Sequence, residues 1–176
     1  RYSVATDVCA RLVEVLSGQK FDEFLQQRIF APLGMVDTGF WVPPEKTDRF
    51  IKQYAPTDLL DPMKPGLVKA DDPVNGQYNK LRRLLSGGGG LVSTVADYVK
   101  FLQMIVGGGA YGSVRLLQPA TLEAMRQNQL APGVNVAFPM WSMPGTTFGL
   151  GFALKQTPQA TEPPASQDEY HWGGMG

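Results

Sequence analysis

The sequence has very little of several features that define common classes of protein. Its 176 residues include one cysteine and one histidine, and 16 basic residues balance 16 acidic residues. One cysteine excludes an intrachain disulfide, and one histidine with one cysteine does not supply the ligands of a metal site. We therefore predict no metal and no cofactor. The balanced charge favours no nucleic-acid partner.

Long apolar runs are also missing. No stretch approaches the ~18 apolar residues of a membrane span, so we expect no membrane-spanning segment. The chain does not begin with methionine and lacks the start of a secretory signal, so we expect further residues before Arg1. Cys9 lies among Val8, Leu12 and Val13, which predicts a buried thiol and favours a cytoplasmic location. A periplasmic or secreted location stays open, because a signal peptide would precede Arg1.

Apolar residues at helical spacing predict most of the regular structure. Thr94, with Asp97 three residues later, is a capping-box-like start. The sequence "FGLGFAL" (148–154) predicts a strand that something approaches closely at its glycines, with "DEYHWGG" (168–174) as its neighbour. Helices are predicted over Asp7–Ser17 with Gly18 as its cap, from Phe21 to before Pro32, from Thr94 to Gly107, and from Pro119 to about Gln127.

Residues 43–80 have a different character, with many prolines and no sustained periodicity. They predict a long excursion with short strands near Phe50–Tyr54 and Leu67–Lys69. The order of helices first and strands last indicates an α+β protein rather than repeated βαβ units. Two terminal strands form a marginal sheet, so we expect partner strands outside this sequence.

Common catalytic and nucleotide-binding motifs are missing. No G-x-S-x-G elbow is present, and His171 would have to act as the base at the very end of the chain. The segment "SGGGGLVST" (86–94) is similar to a phosphate-binding loop but lacks its G-K-[ST] ending. These glycines therefore predict a tight backbone crossing.

Three segments, considered together, resemble one family of enzymes. They are "YSVATDVCARLVEVLSG" (2–18), "FLQQRIFAPLGMVDTGFWVP" (24–43) and "SGGGGLVSTVADYVKFLQMI" (86–105). Each is similar to a segment of the serine hydrolases built on the class C β-lactamase plan, and most of all to the family VIII carboxylesterases. The resemblance implies a β-lactamase/penicillin-binding-protein-like α+β fold, incomplete in this chain. It also implies that residues 1–176 are the C-terminal portion of a single domain.

The resemblance also assigns site residues. Tyr2 would be the phenol that assists proton transfer, and "HWGG" (171–174) takes the place of the third motif, K-T-G in β-lactamases. The glycines of that motif let a substrate approach the backbone, and a following N–H helps to hold the oxyanion. Two registers are open. The implied substrate-binding residues are His171 with Gly174 as oxyanion donor, or Trp172 with Met175 as donor, and Gly173 in both registers.

Two departures from the family pattern bear on the substrate. Val4 stands where β-lactamases usually have the asparagine of Y-x-N, and a valine side chain cannot hydrogen-bond a β-lactam amide. The third motif contains no lysine, so the cation expected to meet a substrate carboxylate is missing. Both departures favour a small-molecule ester or another uncharged acyl donor over a β-lactam.

The family's nucleophile motif, S-x-x-K, does not occur in these 176 residues. We therefore expect the serine and lysine to lie upstream of Arg1, in an N-terminal part that activity requires. The sequence predicts a serine carboxylesterase that works through an acyl-enzyme, with this fragment inactive alone. The alternatives are a β-lactamase or D-amino-acid peptidase on the same fold, or a binding homologue that has lost the nucleophile.

Overall fold

The computed structural model describes residues 4–58, 60–61, 63–134, 136, 142–164 and 167–173. The described residues divide into a first unit, Val4–Lys100, and a second unit from Phe101 onward. Both helices and antiparallel strands are present, as expected for an α+β chain.

The first unit is mainly helical. Helix α1 (Ala5–Ser17) ends where predicted, because Gly18 adopts the left-handed conformation at φ +71° and its N–H bonds the Glu14 carbonyl at 2.9 Å. Strands β1 (Gln53–Pro56) and β2 (Leu67–Asp71) pair antiparallel and overlap the two strands predicted in the proline-rich excursion. The elements of this unit are α1 (Ala5–Ser17), α2 (Phe21–Leu25), a π-helical turn (Gln26–Phe30), α3 (Ala31–Leu33), a 3-10 helix (Pro44–Arg49), β1 (Gln53–Pro56) and β2 (Leu67–Asp71).

The helix predicted to end before Pro32 continues to Leu33, so that prediction is wrong. A proline inside a helix lacks the N–H of the ladder and crowds the preceding turn. Here a wider π-helical turn comes directly before α3, so Pro32 falls in the first turn of a new segment, where no N–H is needed. The segment ends at Gly34, which is left-handed at φ +66°.

Helix α4 (Val95–Val106) starts in the first unit and continues into the second. The second unit has a short hairpin, a further helix and a three-stranded antiparallel sheet in the order β5 (Thr146–Phe148), β6 (Ala153–Lys155) and β7 (Tyr170–His171). Pro119 opens α5 (Pro119–Met125), as predicted. The elements are β3 (Ala110–Tyr111), β4 (Val114–Arg115), α5 (Pro119–Met125), β5 (Thr146–Phe148), β6 (Ala153–Lys155) and β7 (Tyr170–His171).

The segment "FGLGFAL" forms a hairpin rather than the single predicted strand. The chain turns between β5 and β6, and Gly151 there has a φ of +91°. The close approach predicted at its glycines occurs at Gly149, where a Cβ would lie 2.0 Å from the carbonyl oxygen of Met125. The predicted pairing with the last segment is confirmed, because β7 pairs with β6.

Each unit has its own buried apolar residues. Those of the first unit are Ala10, Phe30, Leu33, Met35 and Phe40, and those of the second are Met104, Ile105, Leu122, Ala153 and Leu154. Among the described residues, no helix is both long and apolar enough to cross a bilayer.

The apolar residues that define α1 in the sequence do not belong to this core. Val8, Leu12, Val15 and Leu16 are all exposed. Cys9 is exposed as well, so the prediction of a buried thiol is wrong. The reason is the orientation of α1, which packs on the first unit through the side that carries Ala10.

Candidate active site

The third motif lies on the edge strand of the described sheet. His171 pairs with Ala153 of β6, and Tyr170 pairs with Leu154. Because β7 has a strand on one side only, its other edge faces no strand among the described residues. An extended edge of this kind can take an acyl group or peptide along its backbone.

The side chains of this strand divide between its two faces. Tyr170 and His171, the two residues of β7, point to opposite faces of the sheet, and Trp172 follows the end of the strand. The Trp172 indole meets the Phe148 ring nearly perpendicularly, with ring centroids 5.1 Å apart, and Tyr170 packs against Phe152 at 5.4 Å. Two aromatic pairs therefore lie beside the third motif, one formed by Trp172 and one by Tyr170.

His171 has few partners. Its Nδ1 lies 3.5 Å from Glu169 Oε1, and the imidazole is 42% exposed. Gly173 follows in open space, because a Cβ built there would meet no atom within 4 Å. A small residue at this point leaves the backbone accessible to a ligand.

The cation on the neighbouring strand is already neutralised. Lys155 Nζ lies 2.8 Å from Glu162 Oε1 and 3.3 Å from the Pro144 carbonyl oxygen, and its side chain is 10% exposed. Its hydrogen bond to Glu162 holds the pKa of that carboxyl below its usual value. Lys155 therefore does not replace the lysine that K-T-G would place at this sheet.

The structure brings together His171, Trp172 and Gly173, which adjoin in sequence. The other predicted site residues, Tyr2, Gly174 and Met175, lie outside the described residues.

Helix α1, which follows the tyrosine motif, is hydrogen-bonded to the glycine-rich segment at residues 86–94. Asp7, in the first turn of α1, accepts a hydrogen bond from the Ser86 hydroxyl at 2.6 Å and a longer one from the Gly88 N–H at 3.4 Å. The bond from Ser86, followed by that from Gly88, holds the pKa of Asp7 below its usual value. An ionised carboxylate therefore joins two of the three family segments.

The predicted tight backbone crossing at the glycines is confirmed. A Cβ on Gly87 would lie 2.4 Å from the Thr6 carbonyl oxygen and 2.8 Å from the Cβ of Ala10. Only glycine lets this segment approach α1 so closely.

A second carboxylate joins the second and third family segments. Asp97 accepts hydrogen bonds from the Asp37 N–H at 2.6 Å, from the Thr38 hydroxyl at 3.1 Å, and from Lys100 at 2.9 Å. Burial raises the pKa of Asp97, but the bonds from Lys100 and the Asp37 N–H outweigh it and keep the pKa below its usual value. The Thr94 hydroxyl accepts the Asp97 N–H at 3.2 Å, so Thr94 caps α4 as predicted, while the Asp97 side chain bonds elsewhere.

The Asp37 carboxylate forms ion pairs with two basic side chains. Arg49 donates two hydrogen bonds to its carboxylate, at 2.9 and 2.8 Å, and Lys46 Nζ lies 2.8 Å away. These two partners, Arg49 first, hold the pKa of Asp37 far below its usual range. The loop after α3 is therefore held through both the backbone N–H of Asp37, which bonds Asp97, and its carboxylate, which bonds Arg49 and Lys46.

The sequence predicted no role for Asp7 or Asp37 and only a helix-start role for Asp97, although all three lie inside the family segments. In each segment the acidic residue stands among apolar and small residues. Because a buried carboxylate needs hydrogen-bond donors, this pattern could have predicted that each of these side chains has donors around it.

Comparison with known proteins identifies the family of this chain. The sequence matches the family described as Beta-lactamase over residues 1–176. The chain therefore belongs to the β-lactamase family, whose members are serine hydrolases, and the predicted family is confirmed.

Relatives in this family include esterases, acyltransferases and penicillin-binding proteins. Lovastatin esterase of Penicillium rubens is 34% identical over 74% of this chain and 31% of its own length. Penicillin-binding protein 4 of Amycolatopsis lactamdurans is 32% identical over 84% of this chain and 35% of its own length.

Among solved structures, unliganded simvastatin synthase of Aspergillus terreus superposes with a TM-score of 0.68 at 25% identity. The superposition covers 88% of this chain and 39% of that enzyme. The predicted β-lactamase/penicillin-binding-protein-like fold is confirmed. The chain spans only about a third to two fifths of the length of these relatives.

Proposed function

We propose that this chain is part of a carboxylesterase that hydrolyses small-molecule esters through an acyl-enzyme. The main support for this proposal comes from the third motif, which has aromatic rings beside it and a backbone edge that faces no strand among the described residues, but contains no lysine. The neighbouring Lys155 is paired with Glu162, so it leaves no unpaired positive charge on β6. A site of this kind suits an acyl group without a carboxylate better than a β-lactam or a peptide terminus.

The proposed reaction needs residues that precede Arg1. A serine of an S-x-x-K motif attacks the ester carbonyl carbon, and the lysine of that motif takes up the serine proton. Tyr2 relays that proton from the lysine to the departing alkoxide as the carbon–oxygen bond of the ester breaks. Water then attacks the acyl-enzyme, which releases the carboxylic acid and restores the serine.

The third motif has two roles in this proposal. A backbone N–H at Gly174 or Met175 donates to the developing oxyanion, according to the register of the motif. Trp172 lines the acyl pocket, because the residue is 43% exposed and its indole packs on the Phe148 ring. His171 has no role in proton transfer here.

The names of relatives support ester chemistry. Lovastatin esterase is named as an esterase, and it is 34% identical to this chain over the matched residues. Because the chain covers only 31% of that protein, substrate identity does not follow from the match.

A second candidate is a β-lactamase or D-amino-acid peptidase. The match to penicillin-binding protein 4, at 32% identity, favours it. Val4 and the lysine-free third motif count against it, since both remove groups that bind the amide or carboxylate of such substrates. A non-catalytic binding homologue would lack the upstream S-x-x-K motif altogether.

The test uses the full-length protein, meaning this chain together with the segment that we propose precedes it. We expect turnover of p-nitrophenyl butyrate well above turnover of nitrocefin, and loss of ester turnover in the upstream Ser→Ala variant. Tyr2→Phe removes the proton-carrying hydroxyl but keeps the ring, so it should lower kcat by about a hundredfold or more.

Several results would refute the proposal. Dominant nitrocefin turnover would favour the second candidate, and an upstream sequence without S-x-x-K would favour the binding homologue. As a control, residues 1–176 alone should give no burst of p-nitrophenol. A stoichiometric burst from them would contradict an upstream nucleophile.

A further inference from the structure

Strand β7, which leads into the third motif, is short. It pairs with β6 through its two residues, Tyr170 and His171. Just before the strand, the Lys155 N–H donates to the Glu169 carbonyl at 2.8 Å. So short a pairing is weak, and the position of β7 therefore depends on contacts of its side chains as well.

The chain around the end of α5 is bonded to the hairpin formed by β5 and β6. The Leu150 N–H donates to the Met125 carbonyl at 3.0 Å. The Gln129 N–H donates to the Phe148 carbonyl at 2.8 Å. Arg126 lies between these two bonds in sequence, so its backbone is fixed relative to the hairpin.

The Arg126 side chain reaches from this fixed backbone to the edge strand. Its guanidinium carbon lies 5.4 Å from the centroid of the Tyr170 ring, within the ~6 Å at which a cation is attracted to a ring face. Phe152, which directly precedes β6, meets the same ring with centroids 5.4 Å apart and ring planes at 65°. Tyr170 is thus held by one residue at the end of α5 and by one beside β6.

The space beside the Tyr170 ring is not filled. A cavity of about 320 Å³ lies there, and its lining includes Arg126, Leu154, Lys155 and Tyr170. Protein interiors are normally close-packed, and a side chain next to a cavity lacks neighbours on that side. The ring therefore has room to move once the Arg126 contact is removed.

We infer that Arg126 is a positioning residue for the third motif and that it acts through Tyr170. His171, Trp172 and Gly173 directly follow Tyr170, so a shift of this residue passes through the backbone to the motif. The inference rests on the proposed function, in which a backbone N–H after Gly173 donates to the oxyanion. A donor displaced from the point where charge develops stabilises the transition state less.

Ester kinetics of the full-length protein test the inference. Arg126→Ala should lower kcat for p-nitrophenyl butyrate by about threefold to fivefold, the ratio expected for loss of one partly exposed contact between a cation and a ring. KM should change by less than about twofold, because Trp172 keeps its own contact with Phe148. Arg126→Lys keeps the positive charge and should restore most of the lost kcat. Rates are measured well below the unfolding temperature of each variant, so that loss of folded protein does not contribute.

A double-mutant cycle shows whether Arg126 acts through Tyr170. Tyr170→Leu removes the ring, and in that background Arg126→Ala should have no further effect on kcat. Equal effects of Arg126→Ala in the two backgrounds would overturn the inference. Glu123→Gln is the matched control, since it removes the exposed ion pair with Arg126 at 3.3 Å and keeps the ring contact, so kcat should not change.

Hydrogen exchange gives a readout that does not depend on catalysis. The Lys155 amide, which bonds Glu169, should exchange about threefold to fivefold faster in Arg126→Ala than in wild type, while the Gln129 amide should not change. Unchanged exchange of Lys155, or faster exchange with an unchanged kcat, would overturn the inference. A wild-type protein without ester turnover would refute the proposed function, and the exchange of Lys155 would still support or overturn the positioning of the strand.

Discussion

Asp97 Oδ2 accepts the backbone N–H of Asp37 at 2.6 Å, which joins the start of α4 to the loop after α3. The residue is only 2% exposed, so its carboxylate is removed from water. The other oxygen accepts a hydrogen bond from Lys100 at 2.9 Å, and Lys100 also donates to the Gly34 carbonyl. The Asp97 carboxylate therefore joins two family segments, residues 24–43 and residues 86–105.

Replacing Asp97 should be costly. Asp97→Ala leaves the Asp37 N–H without its acceptor and the Lys100 ammonium without its carboxylate partner, and the unfolding free energy should fall by about 2–4 kcal/mol. Urea denaturation of the full-length protein measures this change. The control is Arg11→Ala, which breaks an exposed pair with Glu14 and should cost less than about 1 kcal/mol. Equal losses from the two variants would contradict the role of Asp97.

The ion pairs of Asp37 predict how stability depends on pH. Arg49 and Lys46 lower the pKa of Asp37 below its ordinary value of 3.8. A carboxyl with a lowered pKa in the folded state contributes stability that is complete above its unfolded pKa and is lost as pH falls toward the folded pKa. Acidification below pH about 4 should therefore destabilise the protein.

The Asp37→Asn variant tests this dependence. It should be less stable than wild type at neutral pH, and its stability should fall less steeply below pH about 4, because its amide does not titrate. Urea denaturation at a series of pH values gives both quantities. Identical slopes for the two proteins would show that Asp37 does not contribute to acid sensitivity.

Two neighbouring glycines provide a matched test of the backbone crossing. Gly87→Ala places a Cβ 2.4 Å from the Thr6 carbonyl oxygen, whereas a Cβ on Gly89 meets no atom within 4 Å. The first substitution should destabilise the protein by about 1–3 kcal/mol, and the second should change it by less than about 0.5 kcal/mol. Thermal unfolding of both variants distinguishes them. A harmless Gly87→Ala would mean that α1 and the glycine segment are not in close contact.

Local signals in the sequence were sufficient to predict one end of α1 and one end of α5. Gly18 and Pro119 mark the end of α1 and the start of α5, and both act through their own backbone geometry. Pro32 shows the limit of such rules, because the π-helical turn before it removes the conflict with the helix. That turn has no comparable signal in the sequence.

Burial was much harder to predict. Periodicity identifies the apolar side of α1 but not what that side contacts, and Cys9 was placed inside for this reason. The carboxylates of Asp7 and Asp97 acquire their partners from residues more than 50 positions away in sequence. The third-motif strand was located correctly because β6 and β7 are neighbours both in sequence and in the sheet.

Substitutions of Trp172 and of His171 can distinguish which of the two residues occupies the lysine position of the third motif. The Trp172 indole packs on Phe148 with centroids 5.1 Å apart, so Trp172→Ala should cost about 1 kcal/mol of stability and Trp172→Phe should recover part of it. If Trp172 lines the acyl pocket, the alanine variant should also lower kcat/KM for p-nitrophenyl butyrate by about tenfold or more, mainly through KM. His171→Ala is the control, and it should change stability by less than about 0.5 kcal/mol because the side chain is 42% exposed. Loss of kcat in His171→Ala, with Trp172→Ala unaffected, would instead assign the motif position to His171 and the oxyanion donor to Gly174.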